Sequence, residues 1–399
     1  MNDPGSRTRI RMVLILLLMV PLARARTDPD TGRIRLLYVG QWPYGGRPQY
    51  LLEDPLLQTS IVPYYDFGEQ LQEIRRYMHQ RYPRTLHMVD NYDMVIYSNI
   101  QLLAFTVRQV RMVKDAVELH GFGYMMTGGH TSFGGTTDSY PSWSGTAIDD
   151  VLPVNLIDGK YIKPFWFPLR VIDPENELMR SLPWSEIRPF SYSLNAVTIR
   201  EGSHLLAEAD IPDRWPVLAY RDLSKGRTLG FMTPFEVADN KNLEDWGFFD
   251  DLCANIVYFG ADIDLPDDPF MIHDLRSLYR DYHDQRLLLV SMIEFVDRFG
   301  VRTVQVEDLL QGVEETRIAS YDAYIEQDFV ASSELMDEAL ADLKGGHDLA
   351  IRIKDRALFW VYAIEWLVVT ATLMATGSVL WTLMVRKRLY RATGTTRLL

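Results

Sequence analysis

The chain has 399 residues, enough for two or three domains, and its composition (47% hydrophobic, 12% aromatic, 24% charged) is that of a folded protein rather than a disordered one. A formal net charge of −13 argues against nucleic-acid binding, which needs a basic face to meet phosphate.

The first 25 residues read as a signal peptide. Arg7, Arg9 and Arg11 precede an apolar run from Met12 to Ala23 that is short for a bilayer, and Ala23-Arg24-Ala25 offers small residues for cleavage. Left uncleaved, the same segment would be an N-terminal anchor. Residues 34–40, IRLLYVG, form an apolar run closing on glycine and predict a buried strand. Residues 68–82 predict a helix with Leu71, Ile74 and Met78 on one face, and residues 92–100, YDMVIYSNI, a second strand. An amphipathic helix over 104–120 follows, with Val107, Val110, Val113 and Val117 in its stripe and Gly121 at its close. Residues 122–126, FGYMM, make a third strand that runs into TGGHTSFGG (127–135). Strands alternating with helices predict a parallel sheet, and ligands of such sheets gather at the carboxyl ends of the strands.

Beyond Asp149 the pattern turns strand-rich. Residues 195–200 and 216–234 read as strands, the latter a hairpin turning on Ser224-Lys225-Gly226. Residues 246–260 close this part with a helix, and 262–269, DIDLPDDP, mark a boundary. From Met271 onward the chain is helical. Leu275, Leu278, Tyr279 and Tyr282 share one face, a second amphipathic run covers 287–299, and Leu335, Ala339, Leu340 and Leu343 mark one arm of a hairpin hinged at Gly345-Gly346. Residues 270–356 are therefore expected to be a membrane-proximal stalk.

Trp366 to Val385 carries no formal charge and is long enough to span a bilayer. With Trp360, Tyr362, Trp366 and Trp381 as interface rings, the expected transmembrane helix is 360–385, Glu365 lying at its outer edge. Arg386, Lys387, Arg388 and Arg391 follow, which puts the 386–399 tail in the cytoplasm and the rest outside. Residues 1–25 carry net +3 and residues 386–399 net +5, so the −13 of the whole leaves −21 between them. An ectodomain this acidic is soluble and repels anionic polymers. Its one cysteine, Cys253, sits among apolar residues at helical spacing and reads as a buried structural thiol, with an intermolecular disulfide or a reactive thiol as the alternatives.

The glycine-rich turn is the main candidate for chemistry. Gly128, Gly129, Gly134 and Gly135 permit backbone conformations closed to other residues, and successive free N–H groups there would cradle an anion. His130 is a candidate general base, Ser132 a candidate nucleophile, and Asp138 a candidate to orient the imidazole. The plain alternative is a tight strand-to-helix connection. His283-Asp284 reads as a solvated helix face, and Asp173 to Glu177, DPENE, lacks the spacing of a calcium loop. No metal site and no cofactor is called for.

The ordered set YDMVIYSNI, FGYMMTGGHTSFGG, AIDDVLPV (147–154), SKGRTLGFMTP and WGFFDDLCANIVYFG resembles the glutamine amidotransferase-like domains of the class I glutamine amidotransferase-like superfamily. The resemblance covers roughly residues 33–262. It implies a flavodoxin-like, doubly wound, mostly parallel α/β sheet, followed here by the helical stalk and one transmembrane helix, as in prokaryotic surface proteins. It also implies a cysteine on the turn after the strand and a later His-Glu pair. This chain has Thr127-Gly128-Gly129-His130 there, and no His-x-Glu follows in the expected region. Glycine cannot replace a thiolate nucleophile, so cysteine-dependent glutamine hydrolysis is excluded by residue type.

What the sequence leaves is a pocket drawn from Gly128, Gly129, His130, Thr131, Ser132, Asp138, Tyr140, Trp143, Glu236, Asp239 and Trp246. Aromatic faces with a few polar groups suit a small polar ligand, and the resemblance to trehalose-utilisation-like relatives points to carbohydrate. Trp143 and Trp246 have core packing as their alternative. Three functions stay open: a membrane-anchored binding or interaction module; an extracytoplasmic hydrolase using His130 with Ser132 or a carboxylate; and a structural subunit of a membrane assembly or homo-oligomer, for which Ala371-x-x-x-Ala375 offers a packing seam.

Overall fold

The computed structural model describes residues 27–41, 50–64, 71–136, 140–162, 166–188, 193–235, 243, 245–298 and 304–394. The expected signal peptide (1–25), Asp138, Glu236, Asp239 and the last five residues of the tail lie outside them. The chain divides into two compact units, Met1–Arg276 with Ala323–Phe329, and Ser277–Asp322 with Val330–Leu399.

Among the described residues the first unit holds ten strands: β1 (Ile34–Gln41), β2 (Leu57–Tyr64), β3 (Met94–Ser98), β4 (Gly123–Thr127), β5 (Val154–Ile162), β6 (Leu169–Val171), β7 (Leu194–Ile199), β8 (His204–Ala209), β9 (Pro216–Leu223) and β10 (Gly226–Phe231). Eight of them form one mixed sheet in the order β2-β1-β3-β4-β10-β9-β8-β6, while β5 and β7 pair separately. The strands from β2 to β10 in that order run parallel. From β10 through β9 and β8 to β6 every pairing is antiparallel. The mostly parallel sheet expected from the sequence therefore describes one half only. The reversal follows from local chain chemistry. Ser224 takes φ +39°, and Gly226 pairs with Leu223, so a two-residue turn joins β9 to β10 and adjacent strands so joined must be antiparallel.

Every residue of β3 and β4 is buried, as strands covered on both faces should be. Between them runs the Val107–His120 helix. Thr106 and Gln109 cap its start reciprocally, Gly121 at φ +74° closes it, and Val110, Val113, Ala116 and Val117 are buried. Val107, which the periodicity assigned to that stripe, is 78% exposed at the first helical position. The turn after β4 follows the fourth strand rather than the third, because β2 carries Gln58, Thr59, Ser60 and Pro63 and does not read as apolar. Such a strand is tolerated here since β2 is the edge of the sheet.

The second unit is helical, built from parts of the Pro269–Asp297, Val304–Ile325 and Phe329–Gly394 helices. Tyr279 Oη lies 3.2 Å from Ser320 Oγ and 2.5 Å from Ser332 Oγ, a buried hydroxyl cluster that ties the three segments together. The hinge expected at Gly345-Gly346 is absent: both lie inside the continuous Phe329–Gly394 helix. Gly346 serves close approach instead, since a Cβ there would stand 2.9 Å from Leu309 Cδ2 and 3.0 Å from Leu289 Cδ2. One stretch of this terminal helix is apolar and long enough to cross a membrane, and none of that stretch is buried.

Candidate functional site

Strand β4 delivers the chain into Gly128, whose N–H donates to Phe231 O at 2.7 Å and Thr233 O at 3.1 Å. The turn thus stays tied to the end of β10. Two asparagines then clamp it. Asn99, just past β3 and at φ +44°, accepts from Thr131 N (3.2 Å) and Thr131 Oγ1 (2.9 Å) on its Oδ1. Asn195, on β7, accepts from Gly129 N at 2.8 Å and donates through Nδ2 to Gly129 O (3.1 Å) and Ser132 O (3.2 Å). Gly129 has φ +137°, and a Cβ on it would collide with the Asn99 side chain, so glycine is required twice over.

Three further amides turn inward as well. Ser132 N donates to Gly129 O, Gly135 N to Ser132 O, and Phe133 N to Met126 Sδ. The anion cradle expected from four glycines is therefore closed at Gly128, Gly129 and Gly135, whose N–H donors already satisfy carbonyls and an amide oxygen.

The candidate side chains follow the same logic. Thr131 is fully buried and Ser132 is 1% exposed. The Ser132 hydroxyl hydrogen-bonds to no other described residue, so among the described residues no base stands ready to activate it. His130 is half-buried, its ring 5.2 Å from that of Tyr140 and 6.3 Å from that of Tyr161. Trp143 is fully buried: its Nε1 donates to Thr131 O at 3.1 Å, and its ring packs 5.7 Å from Tyr97 and 5.6 Å from Phe105. Trp246 packs against Trp184 at 5.4 Å and Phe248 at 5.9 Å. Both indoles are core residues, and neither offers a free face for a sugar. The structure brings together residues 128–132 with Tyr140 and Trp143; Trp246 belongs to another aromatic cluster.

Sequence reasoning missed Asn99 and Asn195. The available signal was an asparagine inside SLNAV, since asparagine is disfavoured in strands unless its amide has work to do. It also missed a buried polar centre in the same unit. Arg276 Nη1 donates to Asp251 Oδ1 (2.8 Å) and Asn255 Oδ1 (3.1 Å), while its Nε donates to Tyr324 Oη (3.1 Å) and lies 3.3 Å from Asp54 Oδ2. Tyr258 Oη donates to Asp54 at 2.7 Å, and His273 Nδ1 lies 2.8 Å from Asp251 Oδ2. Burial alone would raise the Asp251 pKa. The hydrogen bond with His273 and the charge of Arg276 outweigh it and hold the carboxyl below its ordinary value. Burial likewise pushes the Tyr258 phenol up, so it remains a donor. Cys253, two residues from both Asp251 and Asn255 on the Phe249–Gly260 helix, is buried, and burial followed by Asp250 and Asp251 pushes its thiol up. That is an inert thiol rather than a nucleophile.

Residues 74–259 match a family model described as "Putative glutamine amidotransferase". Over this stretch the chain is similar to that family. It contains β3, β4 and the clamped turn, and it lies within the range 33–262 that the sequence motifs marked out. No curated protein matches the chain significantly. Among solved structures, a cytoplasmic protein of Salmonella typhimurium is 19% identical with a TM-score of 0.47, covering 57% of this chain and 98% of that one. A second cytoplasmic protein, from Salmonella typhimurium LT2, is 19% identical with a TM-score of 0.46, covering 57% and 99%. A beta-galactosidase of Rahnella sp. R3 is 12% identical with a TM-score of 0.35, covering 66% and 36%.

Proposed function

We propose that this chain is a single-pass membrane-anchored protein that displays its amidotransferase-like unit outside the cytoplasm as a binding or interaction module, not as a glutaminase. The observation that carries this reading is the inward commitment of the turn after β4. Where acyl-transfer chemistry needs a thiolate and free N–H donors, this turn has Gly128-Gly129-His130 and amides bonded to Asn195, Asn99 and neighbouring carbonyls. The hydrolase alternative gains no support from Ser132, which is sealed and without a hydrogen-bonded base among the described residues.

The anchor rests on the terminal helix. Within it Thr370, Thr372, Thr376, Ser378 and Thr382 donate their hydroxyls to carbonyls four residues back, at 2.6–2.8 Å. Hydroxyls satisfied inside their own helix are what a lipid-facing segment requires. The basic run Arg386 to Arg391 supports a cytoplasmic tail. Two assays test the proposal. Purified protein given glutamine should release no ammonia above a heat-treated control, and a tag after Leu399 should be protected from protease outside intact cells. Ammonia release, or a tag cleaved from outside, contradicts the corresponding half.

A further inference from the structure

A pocket of about 680 Å³ opens in the first unit, where the Leu71–Arg81 helix meets the segment that leads into the Val107–His120 helix. That volume falls in the range of metabolite sites. Its walls carry Arg75, Arg76, Arg84, Arg108 and His79, with Phe105 as the aromatic part of the lining. Among the described residues no acidic one lines it. In a chain of net charge −13 this is an unusual concentration of cations.

The pairing pattern sharpens the contrast. Elsewhere in this unit Arg35, Arg200, Arg214, Arg227 and Arg276 each meet a carboxylate at 2.8 Å. Among the described residues none of the four pocket arginines does. Two are instead held by main-chain carbonyls: Arg75 Nε donates to Leu103 O at 3.0 Å, and Arg84 donates through Nε and Nη2 to His79 O at 3.1 and 2.8 Å. Both keep further N–H groups for a ligand. A guanidinium fixed in this way loses little entropy on binding and matches the forked geometry of carboxylate or phosphate. The start of the Val107–His120 helix is not the source of the site, because Thr106 and Gln109 already cap each other there.

We propose that this pocket binds a small organic anion bearing phosphate or carboxylate groups, gripped by Arg75, Arg76, Arg84 and Arg108 beside Phe105. A small ligand is favoured over an anionic polymer because the chain's overall negative charge repels a polymer while a bounded basic pocket still admits a metabolite. The proposal is independent of the membrane assignment and of the turn after β4.

Equilibrium dialysis of the full chain in neutral detergent tests it, with inorganic phosphate and citrate as separate probes at constant ionic strength. Wild type should bind at least one probe, citrate favouring a polycarboxylate ligand and phosphate a phosphate ester. Arg76→Gln/Arg108→Gln should weaken that binding by about tenfold or more, the loss of at least one charge-assisted hydrogen bond. Arg352→Gln/Arg356→Gln, which removes the same charge from exposed positions of the terminal helix, should bind like wild type. The single variants Arg76→Gln and Arg108→Gln, each checked for a wild-type melting curve, give intermediate losses. Binding of neither probe above empty micelles, or equal losses in the two double variants, overturns the proposal.

Discussion

The turn after β4 and the arginine pocket sit in the same unit and treat their hydrogen-bond donors in opposite ways. In the turn, Gly128, Gly129, Thr131, Ser132, Phe133 and Gly135 all direct their N–H groups to protein acceptors. In the pocket, Arg75 and Arg84 use part of their donor set on carbonyls, and no carboxylate among the described residues takes the rest. A glycine-rich motif at a strand end signals tight backbone approach, which serves packing as readily as catalysis. Availability for a ligand is decided by which donors the fold leaves over.

The sharpest test of that contrast compares arginines of the two kinds. Arg276 is buried between Asp251 and Asp54, and replacing it with alanine leaves both carboxylates without their cation. Arg276→Ala should lower unfolding free energy by about 3–5 kcal/mol in denaturant titrations followed by tryptophan fluorescence. Arg76→Gln/Arg108→Gln should leave the midpoint where it is, and equal losses in the two would break the comparison. A smaller loss is expected at the clamp. Asn195→Ala leaves the Gly129 N–H without its partner and takes one of two donors from each of the Gly129 and Ser132 carbonyls, at a cost of about 1–3 kcal/mol in the same titration.

The buried centre also has a pH signature. The folded pKa of Asp251 lies below its ordinary value, so its contribution is present above the unfolded-state pKa of about 3.9 and is lost as pH falls through the folded value. Asp251→Asn should therefore flatten the acid side of the stability profile, and an unchanged acid limb would rule out this linkage. The smallest effect is expected at Ser132. Ser132→Ala removes a buried hydroxyl with no partner among the described residues, and stability should stay within about 1 kcal/mol of wild type.

What could be read beforehand divides along the same line. The Val107–His120 helix was legible because its signals are local: Thr106 with Gln109 at one end and Gly121 at the other. β4 and its turn were legible because an apolar run breaks sharply into glycines. β2 was not, since an edge strand with Pro63 and three consecutive polar residues, Gln58 to Ser60, lacks the apolar run of a buried one. Gly345-Gly346 looked like a hinge because sequence does not show that Leu309 and Leu289 crowd one of those positions. Asn99 and Asn195 converge on the turn only in the folded chain. Arg75, Arg76 and Arg84 lie far along the chain from Arg108, and each alone reads as a solvated position. Tertiary contact makes them one wall.

The most direct measurement is hydrogen–deuterium exchange of the full chain across Gly128–Gly135. The amides of Gly128, Gly129, Thr131, Ser132, Phe133 and Gly135 should exchange as slowly as those of β4, because they are hydrogen-bonded within the turn. Exchange within the time of exposed loops would mean that the turn opens and its donors are free, which would contradict the reading of this unit as a closed, non-hydrolytic scaffold.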